Sequence, residues 1–262
     1  MSTLMYPQLG TGALSQYPIR KTRRARTVVN QAADGSTVRL ADPAGETTEW
    51  RLEYAELSDD EAAALEGFFE AAEGSLNGFT FLDPAANLLA WTGDASEAVW
   101  QKDPQLTVAQ GVADPAGGTG AWQLANGGAA AQVLAQTLEV PGQYTYCFSA
   151  YVRSAAPAAV TLRIGSVSAE RIATDGWGRL AMAATGAAEA TSLRFALEVP
   201  AGATVEIYGL QVEAQGGASV YRPSTHGGVY QDAHFRDDRF AVTRTGYNRN
   251  SCTVNIIHGN HL

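Results

Sequence analysis

Four histidines lie in the last part of the sequence, where they could serve as metal ligands: His226, His234, His258 and His261. His258 and His261 are three residues apart, and imidazole is a common ligand of zinc. A metal site needs at least a third ligand, and none stands at a matching spacing near the C-terminus. We therefore interpret these histidines as solvated side chains near a chain end. The sequence predicts no metal ion and no other cofactor.

Acidic residues could carry out glycoside hydrolysis, which needs two carboxylates on facing walls of a cleft. Asp237 and Asp238 are adjacent, but nothing singles out a facing pair. The sequence also lacks a nucleophile elbow and a glycine-rich phosphate loop. The loop at residues 114–118 could offer oxygen ligands to calcium, although turn formation alone explains it. We predict that the chain is not an enzyme, with a glycan-processing enzyme that contains a carbohydrate-binding module as the alternative.

Aromatic side chains could bind sugars, because sugars stack their C–H faces on aromatic rings. The candidate platform residues are Trp91, Trp122, Tyr151 and Trp177. A ring that binds a sugar must be exposed. The alternative for each tryptophan is packing in a core or at its rim.

The only basic cluster comprises Arg20, Lys21, Arg23, Arg24 and Arg26. Three interpretations stay open: a solvated strand face with scattered ion pairs, a docking surface for acidic neighbouring subunits, or a DNA contact. The chain carries a net charge of -9, which argues against general nucleic-acid binding and against anionic membranes. No apolar run reaches transmembrane length, and the first residues lack the pattern of a secretion signal. We expect no nucleic-acid binding and no membrane insertion.

The two cysteines, Cys147 and Cys252, lie far apart in the sequence. Nothing in the sequence indicates an oxidising compartment, so two buried free thiols are predicted, with a disulfide as the alternative.

The elements that must position these residues are most clearly marked at residues 50–84. Trp50, Leu52 and Tyr54 alternate with polar residues and predict a strand with one apolar face. Ser58 and Glu61 have the spacing of a helix capping box. An apolar stripe at helical spacing follows, and a second strand then runs to the Asp-Pro pair at residues 83–84. The stripe comprises Leu65, Phe68, Phe69 and Ala72.

The segments before this unit predict an arm and a hairpin. Residues 1–17 are rich in Gly, Pro and Ser and predict an irregular arm that is either disordered or ordered against a neighbour. The dipeptide Asp34-Gly35 favours a tight turn, and strand-forming residues lie on both sides of it.

Residues 87–222 contain short predicted strands at regular spacing, with Gly, Pro and Asp turns between them, which is typical of a β-sandwich. Residues 225–262 contain one or two further strands and are too short to fold alone. We expect them to complete the first sheet. The predicted fold class is mainly β. It has a small split β-barrel with one α-helix at residues 1–86 and 224–262, and an inserted β-sandwich of the jelly-roll or galectin-like type at residues 87–223.

The first third of the chain resembles a family of phage proteins. An arginine-rich first strand, the pattern W…Y…L, a helix that ends in FF…G and the segment GFTFLDP are similar to distal tail and minor tail proteins of long-tailed bacteriophages, and to their gene-transfer-agent relatives. The resemblance implies a structural protein of the virion tail tip, made in the bacterial cytoplasm, that forms a homohexameric ring at the distal end of the tail tube. Its implied partners are its own copies, tail-tube and baseplate hub proteins, and tail fibres or surface glycans.

A second resemblance covers the predicted sandwich. The segments NLLAWTGDASEAVWQK, YTYCFSAYVRS and IYGLQVEAQGGASVYRPS are similar, in that order, to a carbohydrate-binding-module-like β-sandwich of phage tail and fibre proteins. Because the sugar-binding residues differ between members, the resemblance implies a fold more firmly than an activity.

Overall fold

The structure is a computed structural model and describes residues 4–259. Within that range the chain is mainly β-structure with a single α-helix, and Pro43–Gly45 forms a short 3-10 helix. No helix in this part of the chain is both long and apolar enough to cross a membrane.

The early elements are β1 (Ile19–Arg24), β2 (Thr27–Gln31), β3 (Thr37–Ala41), β4 (Thr47–Leu57), α1 (Asp59–Ala71) and β5 (Phe79–Leu82). The middle strands are β6 (Gln101–Lys102), β7 (Leu106–Val112), β8 (Ala121–Asn126), β9 (Gln132–Leu138), β10 (Thr145–Arg153), β11 (Ala158–Ile164), β12 (Val167–Ala173), β13 (Gly178–Thr185), β14 (Leu193–Val199) and β15 (Thr204–Glu213). The last strands are β16 (Val229–Phe235), β17 (Val242–Gly246) and β18 (Arg249–Gly259).

The chain divides into two compact units. The first unit contains Met1–Gly10, Ser15–Phe81 and Tyr230–Leu262, and the second contains Thr11–Leu14 and Leu82–Val229. The sequence analysis predicted that the second unit begins at residue 87 and ends at residue 223. The segment Thr11–Leu14 was not predicted to join the second unit, yet Leu14 is buried in its core.

The first unit is built on an open sheet with the strand order β1-β4-β18-β16-β5, and β17 pairs with β18. Barrel closure requires the two edge strands to pair. Over residues 4–259, β1 and β5 form the two edges without pairing, so the predicted split barrel is wrong. The C-terminal strand β18 lies between β4 and β16. The C-terminal segment of the chain therefore completes the sheet that the N-terminal segment begins.

Helix α1 starts at the predicted capping box, which the structure confirms. The Ser58 hydroxyl accepts from the Glu61 N–H at 3.2 Å, and the Ser58 N–H donates to the Glu61 carboxylate at 3.0 Å. Of the predicted apolar stripe, Leu65 and Ala72 are buried in the core of the first unit. Phe68 and Phe69 are partly buried and pack against that core.

The N-terminal arm is ordered by its own chain. Tyr6 is buried, its N–H donates to the Thr80 carbonyl at 3.0 Å, and its hydroxyl lies 2.9 Å from that of Tyr54. Leu9 is buried in the same core. The prediction that the arm is disordered, or orders only against a neighbour, is therefore wrong for the described residues from 4 onward.

The hairpin predicted around Asp34-Gly35 is confirmed as β2 and β3, which pair only with each other among the described strands. Every residue of both strands is exposed. Val28 and Leu40 are cross-strand partners, and Val38 lies on the same side of the hairpin, so three apolar side chains share one solvent-facing side.

The second unit is a β-sandwich of two antiparallel sheets, with the orders β13-β10-β15-β8-β7 and β12-β11-β14-β9-β6. Alternate residues of β10, Tyr146, Phe148, Ala150 and Val152, enter one core together with residues of the other sheet such as Leu162 and Leu197. This alternation was predicted for β10, and it assigns Tyr151 and Arg153 to the opposite side of the strand.

Both cysteines are free and buried, as predicted. Burial raises the pKa of each thiol to about 11, so both stay protonated near neutral pH.

Candidate functional site

The candidate site lies on the outer side of the sheet that contains β10 and β15. Along β15, Val205 and Ile207 enter the core, so Glu206 and Tyr208 face outward. The register pairs Tyr151 with Tyr208 and Arg153 with Glu206 across the two strands. Outward-facing aromatic and charged side chains of neighbouring strands are thereby brought side by side.

Two rows of side chains cross this sheet. The first row is Arg179, Tyr151 and Tyr208, which are cross-strand partners in turn. The second row begins at Trp177, next to β13, and continues through Arg153 to Glu206. The Arg153 guanidinium carbon lies 4.8 Å from the centroid of the Trp177 ring, and Arg153 is ion-paired with Glu206.

A loop after β15 adds a third tyrosine to the first row. The rings of Tyr151 and Tyr208 are 6.2 Å apart, and the Tyr221 ring stands edge-on to Tyr208 at 5.2 Å. The Tyr221 hydroxyl lies 3.0 Å from that of Thr92. We call this surface the aromatic face. It comprises Tyr151, Trp177, Tyr208 and Tyr221 with Arg153 and Arg179, all partly exposed.

Buried polar residues of β15 anchor the loop that carries Tyr221. The Glu213 carboxylate accepts from the Ser219 N–H at 2.9 Å, and the Gln211 side-chain oxygen accepts from the Arg222 N–H at 2.7 Å. Gln211 and Glu213 are almost completely buried. Since buried polar groups must keep their partners, these bonds hold Tyr221 in place.

Two tyrosine hydroxyls of the aromatic face, those of Tyr208 and Tyr221, are neutral at physiological pH. Burial raises the pKa of Tyr221, and burial together with the nearby Asp114 carboxylate raises the pKa of Tyr208. A neutral phenol donates and accepts hydrogen bonds. The surface therefore combines apolar rings with groups that can bond to hydroxyls.

The predicted sugar-binding residues do not all lie on this face. Tyr151 and Trp177 are on it. Trp122 is 3% exposed and packs edge-to-face on Trp100 at 5.3 Å, so it is a core residue and the prediction is wrong for it. Trp91 lies in the segment that connects β5 to β6 and is partly buried. Its carbonyl oxygen accepts a hydrogen bond from the Trp100 ring N–H at 2.9 Å.

Four members of the aromatic face were missed at the level of sequence: Arg153, Arg179, Tyr208 and Tyr221. Alternation within residues 204–208 places Tyr208 with Glu206, opposite the apolar residues, and this signal was available. The same reasoning places Arg153 beside Tyr151. The positions of Arg179 and Tyr221 depend on strand register and on the course of a loop, for which the sequence carries no local signal.

Three of the five residues of the basic cluster make contacts within the chain. Arg24 is paired with Glu49 at 3.0 Å and Arg26 with Asp42 at 3.2 Å. The Lys21 ammonium is 3.2 Å from the Tyr230 hydroxyl and 5.3 Å from the centroid of the Trp50 ring. Lys21 therefore makes contacts within its own unit, and its place in a docking surface stays a prediction.

Arg20 and Arg23 differ from these three residues. Both are exposed, and neither has a carboxylate within 4 Å over residues 4–259. They are the part of the predicted assembly interface that stays available to a partner.

The candidate metal ligands do not form a site in the described chain. No group of three His, Cys, Asp or Glu side chains with metal-binding geometry occurs between residues 4 and 259. His258 lies in β18, whereas His261 is outside the described residues. The Asp114 carboxylate accepts N–H groups from Ala116, Gly118 and Gly120, at 2.8 to 3.0 Å. This is the turn-forming role expected of that loop.

Comparisons with known proteins give weak likenesses to the fold. No protein-family model and no curated protein matches the sequence. The solved structures that resemble it include the enzymatically active domain of tailspike protein 4 from bacteriophage CBA120, at 14% identity and a TM-score of 0.39. That match covers 50% of this chain and 22% of the tailspike chain.

Two further similar structures are carbohydrate-binding modules. The CBM22-1 xylan-binding domain of Xyn10C from Paenibacillus barcinonensis matches at 17% identity and a TM-score of 0.42, over 52% of this chain and 97% of that domain. TmCBM61, solved with β-1,4-galactotriose, matches at 15% identity and a TM-score of 0.38, over 48% of this chain and 97% of that module. At these TM-scores the likenesses carry no argument about function, which must come from the site itself.

Proposed function

We propose that this chain is a non-catalytic structural protein whose second unit binds glycans through the aromatic face. The observation that carries the proposal is the grouping of four partly exposed aromatic rings and two arginines on one side of a sheet. Ligand sites combine apolar and aromatic surface with a few polar groups that fix orientation. Sugars offer the matching chemistry, because their C–H faces stack on rings while their hydroxyls form hydrogen bonds.

The non-catalytic part of the proposal is supported by how the acidic groups beside this face are engaged. Glu206 is ion-paired with Arg153. Backbone N–H groups, first that of Gly120 and then that of Gly118, hold the pKa of the Asp114 carboxyl below its usual value. A glycosidase acid needs a raised pKa to hold its proton, so Asp114 is shifted in the wrong direction. The rival proposal, a glycan-processing enzyme, requires turnover that disappears when one carboxylate is changed.

Glycan binding is tested with single-ring variants and a matched control. We expect Tyr208→Ala and Tyr151→Ala each to lower the affinity for a bound glycan by about tenfold or more, as loss of a central aromatic contact does. Tyr247→Ala removes a tyrosine of the first unit that is 97% exposed, and should leave affinity unchanged. Binding partners are found on a glycan array, and affinities are measured by calorimetry. Equal affinities for all three variants would contradict the proposal.

We propose further that the first unit assembles with its own copies into the ring of a phage, prophage or gene-transfer-agent tail tip, as the family resemblance implies. The second unit would then serve fibre attachment or contact with host-surface glycans. The exposed hairpin β2–β3 supports this, because two strands with apolar side chains in solvent are marginally stable without a partner. Arg20 and Arg23, which have no ion pair among residues 4–259, offer charged contacts to an acidic surface of the next copy. A hexameric ring and a place in the virion, next to tail-tube and hub proteins, are parts of this proposal.

A further inference from the structure

Arg179 is the one partly buried arginine of the second unit that has no carboxylate partner among the described residues. The other arginines of this unit that are not fully exposed form ion pairs: Arg153 with Glu206, Arg163 with Glu198 and Arg222 with Glu213. Within the described part of the chain Arg171 and Arg194 also lack a carboxylate partner, but both are exposed to water. Arg179 thus carries a charge that is neither fully hydrated nor neutralised.

The surroundings of Arg179 hold its guanidinium at the aromatic face. One terminal nitrogen donates to the Ser149 hydroxyl at 3.0 Å, and the guanidinium carbon lies 5.2 Å from the centroid of the Tyr151 ring. Its Nε is buried and has no acceptor among the described residues. The Glu213 carboxylate of β15 accepts a hydrogen bond from the Ser219 N–H and is not within ion-pair distance of Arg179.

A guanidinium in this position favours an anionic ligand. It has five N–H donors in a planar fork that matches a carboxylate, and a charge-assisted bond of this kind is about twice as strong as a neutral one. A partly dehydrated cation gains more from a counter-ion than a solvated one, because water screens the attraction less. A neutral sugar hydroxyl would leave this charge uncompensated.

We infer that the aromatic face selects glycans that carry a carboxylate on a sugar ring, as uronic and sialic acids do. Arg179 binds the carboxylate, and the adjacent rings of Tyr151 and Tyr208 stack against the sugar. The inference rests on the proposed glycan binding and adds the class of ligand to it. The inference also gives different roles to residues of the first row: the tyrosines stack on any sugar, whereas Arg179 binds only a sugar that carries a carboxylate.

The test compares acidic and neutral oligosaccharides of equal length on the full chain. The probes are oligogalacturonides against β-1,4-galacto-oligosaccharides, and sialyllactose against lactose, with affinities from calorimetry at low and physiological salt. We expect the wild type to bind the acidic member of one pair at least about tenfold more tightly, with a preference that weakens as salt rises. The pair that shows the preference distinguishes uronic from sialic acid.

Charge-removing variants then assign the preference to Arg179. R179Q should abolish the acidic preference, because it lowers the affinity for the acidic probe more than the affinity for the neutral one, and R179K should restore part of the preference, because lysine keeps the charge without the fork. R194Q is the matched control, since Arg194 is exposed, has no carboxylate partner between residues 4 and 259 and lies on the other sheet. Melting temperatures confirm that each variant is folded.

The outcomes separate this inference from the proposed function. Equal binding of acidic and neutral probes, or an equal effect of R179Q and R194Q, overturns the acidic selectivity. If binding is still lost in Tyr208→Ala in those cases, the glycan-binding proposal stands. Failure of the wild type to bind any probe, or any member of an array of neutral, uronate-bearing and sialylated glycans, overturns both.

Discussion

Gly209 fixes the place of Tyr221 on the aromatic face. Its φ of +66° lies in the left-handed region, at the irregularity where the register between β10 and β15 shifts. A Cβ on this residue would lie 3.0 Å from the Tyr221 ring, which is closer than such contacts normally come. Glycine therefore allows both the local bend of β15 and the close approach of the ring.

Gly209→Ala should weaken glycan binding severalfold, because the new methyl group displaces the Tyr221 ring. The left-handed backbone adds a stability cost of about 1–2 kcal/mol. Gly202→Ala is the control, since Gly202 has a φ of +70° and no atom of the described residues lies within 4 Å of its Cβ position. It should lose similar stability and keep its affinity. Denaturant unfolding and calorimetry measure both quantities, and equal affinities for the two variants would contradict the role given to Gly209.

At the scale of residues, the sequence predicts what local alternation determines. Tyr151 lies opposite the apolar face of β10, so its outward position was predictable. Trp122 was misjudged, because the type of an aromatic residue does not reveal which side of a strand faces the core. Arg179 joins Tyr151 through pairing between strands whose register the sequence does not encode locally. That Arg179 has no carboxylate partner in the described structure is likewise visible only in three dimensions.

At the scale of elements, the first unit depends on its last strands. β18 pairs with β4 along most of its length and also with β16 and β17, so it joins strands from both ends of the chain. Its buried residues Val254 and Ile256 pack with Trp50 and Leu52 in the core. β18 therefore contributes both hydrogen bonds and buried apolar side chains to the first unit, and the N-terminal segment of the chain cannot replace either contribution.

Truncation before β17 should therefore abolish cooperative unfolding of the first unit, while the second unit stays folded and keeps its glycan affinity. Removing β17 and β18 exposes the buried edge of β4 and the apolar residues it carries. Calorimetric melting and near-UV circular dichroism report the loss, and glycan affinity serves as the internal control for the second unit. An isolated fragment of residues 1–86 that folds cooperatively as a monomer would refute this.

The element-scale predictions succeeded where a short stretch carries the whole signal. The capping box at Ser58 and Glu61 and the turn at Asp34-Gly35 are determined by a few adjacent residues. The prediction of a barrel failed because closure depends on whether the two edge strands of the sheet pair with each other. β1 and β5 end up at opposite edges of the sheet, and no local pattern shows whether such edges meet.

At the scale of the whole molecule, an acidic chain displays a small basic surface. The net charge is -9, yet Arg20 and Arg23 stand exposed on the edge strand β1 without a carboxylate partner in the described chain. The start of α1 carries three acidic residues that could face this cluster in a neighbouring copy. Asp59 accepts a hydrogen bond from Asn250 at 2.7 Å and Glu61 serves the helix cap, whereas Asp60 is exposed. In the proposed ring, a head-to-tail contact would place the start of α1 in one copy against the edge strand that carries Arg20 and Arg23 in the next copy.

Changing Arg20 and Arg23 together to Glu should block assembly and leave the monomer folded. Arg24 and Arg26 are left unchanged because they pair within the chain, and reversing them would confound assembly with stability. R171E/R194E is the matched control, because it makes the same change in net charge at two exposed arginines of the second unit. Sedimentation velocity over a range of protein and salt concentrations measures assembly. A wild-type chain that stays monomeric throughout, or equal assembly of both double variants, would mean that the basic surface is only a solvated strand face.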